Sequence, residues 1–470
     1  VLCRVLCALL FVAWTAEWPL ETDQVLYCGL WRSPLQVLGP LFVSLPGLNL
    51  FPWHLMVLAV APVCLLWPGH ARARSWLLDA AILVSLASVA ATFVWGWVRG
   101  GSPYNAYFQL WRFLVGLLFG LMLHAAVRRP RDLRAIGWTV LAAAVTRAGL
   151  AIYFYWFVVQ GNIDPPPPYM TTHDDTLLFV AGVFIVWSWA VARPGGRALI
   201  AAFLVSGLLV YAMVVNNRRL AWIELLLGFA VMYVLLFPRG WRVHRWVVAI
   251  APIVLVYLAI GWGQPGPAFA PARALATAGS DSDASSLARQ EEVRNLLYTL
   301  SASGNPLLGT GWGVPYQKVT SVYSNFGPEW WQYLYLPHNS LLAVAVFGGL
   351  VGLVGMWLVV PVGAFLAARG FHGAGAPLDR AAAMSAVCVL PAYSAQCYGD
   401  IGIQSLTGGL LLGVAVGVAG KVGAWARDAV QPARPAPPRR PAFARTPRAV
   451  ASPPRRASGR PAPPGALRQR

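Results

Sequence analysis

Arg218 and Arg219 stand side by side in VVNNRRLAWIELLL (214–227), at a short break between two apolar runs. Two adjacent guanidiniums there are costly unless they are paired or matched to an anion. Their planar forks suit phosphate oxygens bidentately, so one reading is a diphosphate clamp. The other is snorkelling to the membrane interface with Glu224 as a partner. His338 and Asn339 open a further apolar run in YLPHNSLLAVAVFGGLVGL (335–353). A His at a helix start is a candidate proton acceptor, because its ordinary pKa lies near about 6.5 and the positive helix end favours the neutral ring; an interfacial His without chemistry is the alternative. His173-Asp174-Asp175 precedes another run and could touch a cation or acceptor sugars, or simply cap a helix. Asp281-Ser282-Asp283 spells a D-x-D, but its Ser/Asp/Ala-rich setting reads as a capping loop.

These residues must be held by elements that cross a membrane. Of 470 residues 58% are hydrophobic and only 11% charged, against about a quarter charged in ordinary soluble domains. Soluble enzyme folds are excluded. The expected fold is all-α, a polytopic transmembrane helical bundle of about twelve spans. The spans lie near 1–16, 50–67, 76–98, 108–127, 135–159, 176–192, 198–215, 220–237, 246–263, 339–367, 381–398 and 403–420; Leu35–Leu50, broken by Pro40 and Pro46, is re-entrant, interfacial or a thirteenth. No A-x-A-like site follows the first run, which reads as a span and not a removable leader.

Basic connectors at 71–74, 128–134, 193–197, 239–245 and 369–380 are each two spans apart, so the positive-inside rule puts them, and both termini, in the cytoplasm. The domains then read as N-terminal spans (1–134), central spans with the outer Arg turn at 216–219 (135–263), one large periplasmic loop (264–337), C-terminal spans (338–420) and a tail (421–470). A loop of that length is usually functional or disordered. LARQEEVRNLLYTLSAS predicts a helix in it with Leu287, Val293, Leu296, Leu297 and Leu300 on one face, and the whole reads as a lid over an outward cavity. The stretch from Pro432 to Arg470 carries ten of the Arg residues behind the net charge of +19 and no acid, and its Pro/Ala/Arg composition reads as disordered. Membrane lipid headgroups suit it; nucleic acid does not, with Phe443 its one aromatic. The six Cys sit mostly in apolar runs and read as packing residues.

Four elements in order resemble the O-antigen ligase/polymerase family of bacterial membrane glycosyltransferases: NRRLAW at the turn, SLARQEEVRNLLYTL opening the loop, NPLLGTGWG (305–313), and His338-Asn339 heading the next span with glycines beyond. The resemblance spans about residues 170–420. Departures are Asn217 where the family commonly has Ser, Val293 where Trp is often found, and Phe347 where an acid is often found. The resemblance implies a lipid-linked glycan donor on undecaprenyl diphosphate and a glycan, lipid or protein acceptor, used on the periplasmic side of the bacterial inner membrane. It implies an inverting transfer without cofactor or metal. Arg218, Arg219, Arg289 and Arg294 then become candidates for the clamp and His338 for the base, with Asn339 beside it in the site; His173 and Asp174 stay candidate substrate contacts, or a helix cap, on the reading of the residues alone. No P-loop or dinucleotide motif of useful context is present. The alternative is a secondary transporter or exporter of a polyanionic or lipid-linked substrate. Such proteins usually have two related halves, and here the second half alone carries the large loop.

Overall fold

The computed structural model describes residues 2–16, 74–161, 169–239, 252–264, 266–276, 284–303, 305–320 and 333–430. The run near 50–67, the broken segment Leu35–Leu50, Cys28, Cys64, Asp281–Asp283 and the tail beyond Val430 lie outside these residues. Within them every regular element is helical. The helices are α1 (Leu2–Ala16), α2 (Trp76–Val98), α3 (Pro103–Ala126), α4 (Pro130–Tyr153, continued by a π-helical turn Phe154–Val159), α5 (His173–Ala192), α6 (Gly196–Asn216) and α7 (Leu220–Leu236). Short helices α8 (Pro252–Gly261) and α9 (Ala270–Ala276) lead to α10 (Ala284–Ser303), then α11 (Ser340–Trp357), α12 (Val359–Gly373), α13 (Pro377–Gly399) and α14 (Leu406–Val430). Seven stretches are long and apolar enough to cross a membrane, α11 and α12 counting as one; α1, α7 and α8 are apolar but shorter.

α14 forms the buried axis, packed on α3, α12 and α13. Glycines make that closeness possible. A Cβ on Gly116 or Gly120 of α3 would run into the backbone of Gly409 or Gly413, and one on Gly417 into Gly120. Between membrane helices, where water gives no drive to associate, such close backbone approach supplies the packing energy. α14 continues to Val430, past residue 420 where the sequence reading ends the last span, because Val422, Ala424 and Ala426 remain buried, with Val422 against Gly370 and Ala426 against Gly373 of α12.

The run at 339–367 also differs from the single span expected. It is two helices, and α11 is itself broken at Gly349 (φ 56°, ψ −153°). NPLLGTGWG fills that break. Thr310 N–H and Gly311 N–H donate to the carbonyls of Val346 and Phe347, while Leu350 N–H and Val351 N–H donate to Pro306 and Leu307. The backbone groups orphaned by the kink are thus satisfied by protein, the condition under which irregular backbone is tolerated within an apolar layer. Beyond the break, Trp312 Nε1 donates to Thr92 Oγ1 at 3.0 Å, its ring lies 5.3 Å from that of Phe347, and Gly313 N–H donates to Gln109 Oε1 at 2.7 Å. So a segment read as part of a lid is instead a wedge between α2, α3 and α11.

The leucines of α10 are a second correction. Leu287 and Leu297 are exposed, and the buried face is Ala288, Glu292, Asn295, Leu296 and Thr299. Polar side chains take that face because they have backbone to hold. Asn295 Oδ1 accepts from Val319 N–H (2.8 Å) and Thr320 N–H (3.0 Å), and Thr299 Oγ1 accepts from Gln317 N–H (2.8 Å).

Candidate active site

At one end of the bundle a cavity of about 1050 Å³ opens between the starts of α5, α7 and α11, the ends of α6 and α13, and α10. Its two ends differ in chemistry. Arg218, Arg219, Arg289, His173, His338, Asn339 and Asp400 line the polar end, whereas Leu220, Ile223, Leu227 and Val231 of α7, Val360 and Ala364 of α12, and Val387 and Leu390 of α13 line a long apolar floor.

The Arg pair sits on a three-residue turn. Asn217 ends α6 in the left-handed conformation (φ 50°), which Asn tolerates better than most L residues, giving a physical reason for Asn where the resembling family commonly has Ser. Buried Asn216 accepts from Met170 N–H (3.1 Å) and Thr171 N–H (2.8 Å), fixing the approach to α5 against this turn. The Arg218 guanidinium lies 3.4 Å above the Tyr169 ring. Glu224 is fully buried and neither of its oxygens has a hydrogen-bond partner, so it does not pair with the arginines.

His338 Nδ1 is 3.0 Å from Glu292 Oε2, and the Asn339 N–H donates to the other oxygen of Glu292 at 3.3 Å. An ionised carboxylate can only accept, so Nδ1 carries the proton and a neutral His338 presents Nε2 as its lone-pair nitrogen. Tyr333 stacks on the ring at 5.3 Å. The sequence reading relies on the positive helix end to favour a neutral His338; its direct partner in the structure is a carboxylate. Asn339 lines the cavity and also caps α11, its Oδ1 accepting from Leu342 N–H at 2.9 Å.

Across the cavity His173 Nδ1 lies 2.7 Å from Asp400 Oδ2. Burial works against the Asp400 charge, but His173, with His338 and Arg289 nearby, outweighs it and holds the carboxyl below the ordinary carboxylate range. Arg294 lines the rim, largely exposed and paired with Glu291 at 2.6 Å. Asp174 is half-buried and lies outside the cavity lining. Asp175 makes a bidentate buried pair with Arg147, both contacts 2.7 Å, which ties α5 to α4. Among the described residues no group of three His, Cys, Asp or Glu is arranged to hold a metal ion.

Two site residues escape the sequence reading, Glu292 and Asp400. Glu292 lies one helical turn beyond Arg289, and that spacing places both on one face. Asp400, an acid just past an apolar run that ends on the same side as the Arg turn, carried a comparable signal.

The site is thus a cavity among apolar, membrane-length helices, cationic at one end and hydrocarbon-lined at the other. Residues 200–357, from within α6 to the end of α11, match the O-antigen ligase family model. That stretch, about a third of the chain, is similar to the O-antigen ligase family of membrane glycosyltransferase-like ligases and polymerases. The matched segment holds Arg218, Arg219, Arg289, Glu292, Arg294, His338 and Asn339; His173, Asp174 and Asp400 lie outside it. No curated protein matches the chain.

Proposed function

We propose that this protein is an inverting glycosyltransferase that moves a glycan from an undecaprenyl-diphosphate-linked donor to an acceptor hydroxyl. The carrying observation is the cavity's division into a guanidinium-lined head and an apolar floor, which suits a diphosphate attached to a long hydrocarbon. In the reaction the acceptor hydroxyl gives its proton to His338 Nε2 as its oxygen attacks the anomeric carbon. The bond from that carbon to the diphosphate oxygen breaks, and the lipid diphosphate leaves with the electron pair. Arg218, Arg219 and Arg289 meet the charge developing on that leaving group, the kind of stabilisation that usually counts most. Glu292 holds the imidazolium that forms, while His173 and Asp400 face the acceptor. Because guanidiniums supply the positive charge, the mechanism calls for no metal.

The positive-inside pattern supports an active site on the periplasmic face of the inner membrane, with both termini cytoplasmic. Ligase and polymerase share the donor and differ in acceptor. Purified protein in proteoliposomes, given a lipid-diphosphate-linked glycan and a panel of acceptors, separates them by product size: single addition marks a ligase, a ladder a polymerase. Donor left unconsumed with every acceptor would sink the proposal.

A further inference from the structure

A second cavity, about 870 Å³, lies between α4, α5, α6, α13 and α14. It is not an extension of the first: α13 turns Val387, Leu390 and Pro391 to one cavity and Ala382, Ser385, Ala386 and Val389 to the other. Its mouth is at the opposite end of α5 and α6, with Arg193 twenty residues from His173, about 30 Å along the helix.

The walls are hydrocarbon. Leu141, Ile185, Val186, Val205, Val389, Leu411, Val414 and a set of alanines form them. Apart from two Trp indoles, Ser385 is the one uncharged polar side chain there, and its hydroxyl already donates to the Ala381 carbonyl at 2.8 Å. A polar solute finds nothing to bond inside. The mouth is the reverse. Arg134, Arg193 and Arg197 gather at it, Arg193 over the Trp189 ring at 5.7 Å, and none of the three has an acidic partner among the described residues. All three belong to connectors that charge bias places on the cytoplasmic side, at the depth where headgroup phosphates lie.

We propose that this groove is a binding site for an anionic phospholipid of the inner leaflet, its acyl chain lying among the α4, α6 and α13 side chains and its headgroup phosphate held by Arg134, Arg193 and Arg197. Charge complementarity selects the occupant: a zwitterionic lipid would fill the same walls but bring its own cation to a mouth that already holds three. Basic pockets between membrane helices on this side are a recognised form of headgroup recognition. The site lies a full span from the candidate active site, so the proposal stands whether or not the glycosyl-transfer reading holds.

The test is native mass spectrometry of the full chain in detergent, offered phosphatidylglycerol and phosphatidylcholine of the same acyl composition, with inorganic phosphate in a separate arm. Wild type should retain phosphatidylglycerol in preference to phosphatidylcholine, and millimolar inorganic phosphate should not displace it. The R134Q/R193Q/R197Q variant should lose the preference by roughly fivefold per charge, on the order of 100-fold in all. Ala201→Trp, which fills the groove and leaves every arginine, should lose retention too; Val205→Phe serves if that variant does not fold. Equal retention of the two lipids by wild type overturns the proposal. So does full retention in the groove-filled variant, which would mean surface charge alone, and so does displacement by inorganic phosphate, which would mean a headgroup site without a chain.

Discussion

Glu292 decides which nitrogen of His338 faces the cavity, and the chemistry proposed for His338 rests on that choice. General-base loss costs ~100- to 10,000-fold, so His338→Ala should fall in that range and His338→Gln, which can bond an acceptor but not take its proton, should be nearly as impaired. The wild-type rate should rise with pH through one ionisation, and the Gln variant should lose that limb; a Gln variant that keeps both limb and rate would make His338 a binding residue. Asp400 does not supply the limb. Its folded pKa lies below the unfolded value of about 3.9, so it stays ionised at neutral pH. Its stabilisation is full above the unfolded pKa and fades as pH falls through the folded one. Thermal melts from pH 7 to pH 3 should therefore show a steeper acid loss in wild type than in Asp400→Asn, and parallel curves would contradict the pairing with His173. For the clamp, Arg289→Ala should abolish turnover with near-normal expression, a loss of ~3 kcal/mol or more of transition-state stabilisation. Arg289→Lys should rescue poorly, since a point charge lacks the bidentate fork.

The wedge of NPLLGTGWG in the break of α11 positions the element that begins with His338. Gly349 has a backbone conformation that only glycine adopts readily, and a Cβ on Gly309 (φ 65°) would strike the Val346 carbonyl. Gly349→Ala and Gly309→Ala should each destabilise by more than about 2 kcal/mol, from backbone strain plus overpacking. Thr92→Val, which removes the acceptor of Trp312 Nε1 together with the hydroxyl's own bond to the Ser88 carbonyl, should cost about 1–3 kcal/mol. Thermal unfolding in detergent measures all three, and a Gly349→Ala protein as stable as wild type would mean the break is not enforced. The motif itself was legible in the sequence; its place was not, because a Gly-rich stretch in a polar loop carries no sign that its amides complete a helix elsewhere. The face of α10 was misread for a related reason. Hydrophobic periodicity assumes that leucines go inward, but Glu292, Asn295 and Thr299 bury to bind His338 and the loop backbone, leaving Leu287 and Leu297 outside.

For the whole molecule, apolar runs carried most of what could be read: among the described residues the helices fall close to the expected runs, and the Arg turn, Arg289, His338, Asn339 and His173 meet in one cavity. What stayed hidden was long-range pairing, such as the seam that sets Gly116 and Gly120 against Gly409 and Gly413. Orientation is testable directly. Gln317, exposed on the loop, and Gly375, in the open connector between α12 and α13, should lie on opposite sides of the membrane. Gln317→Cys should react with an impermeant thiol reagent in intact spheroplasts and Gly375→Cys only after permeabilisation; the reverse pattern would put the cavity in the cytoplasm. The most direct test of the central claim is the fate of the donor. Proteoliposomes holding wild type, a labelled glycan on undecaprenyl diphosphate and acceptor should release free lipid diphosphate in step with glycan transfer, and Arg289→Ala and His338→Gln proteoliposomes should release neither. Glycan crossing the bilayer while still attached to its lipid, with no lipid diphosphate freed, would contradict glycosyl transfer and mark the protein as a transporter.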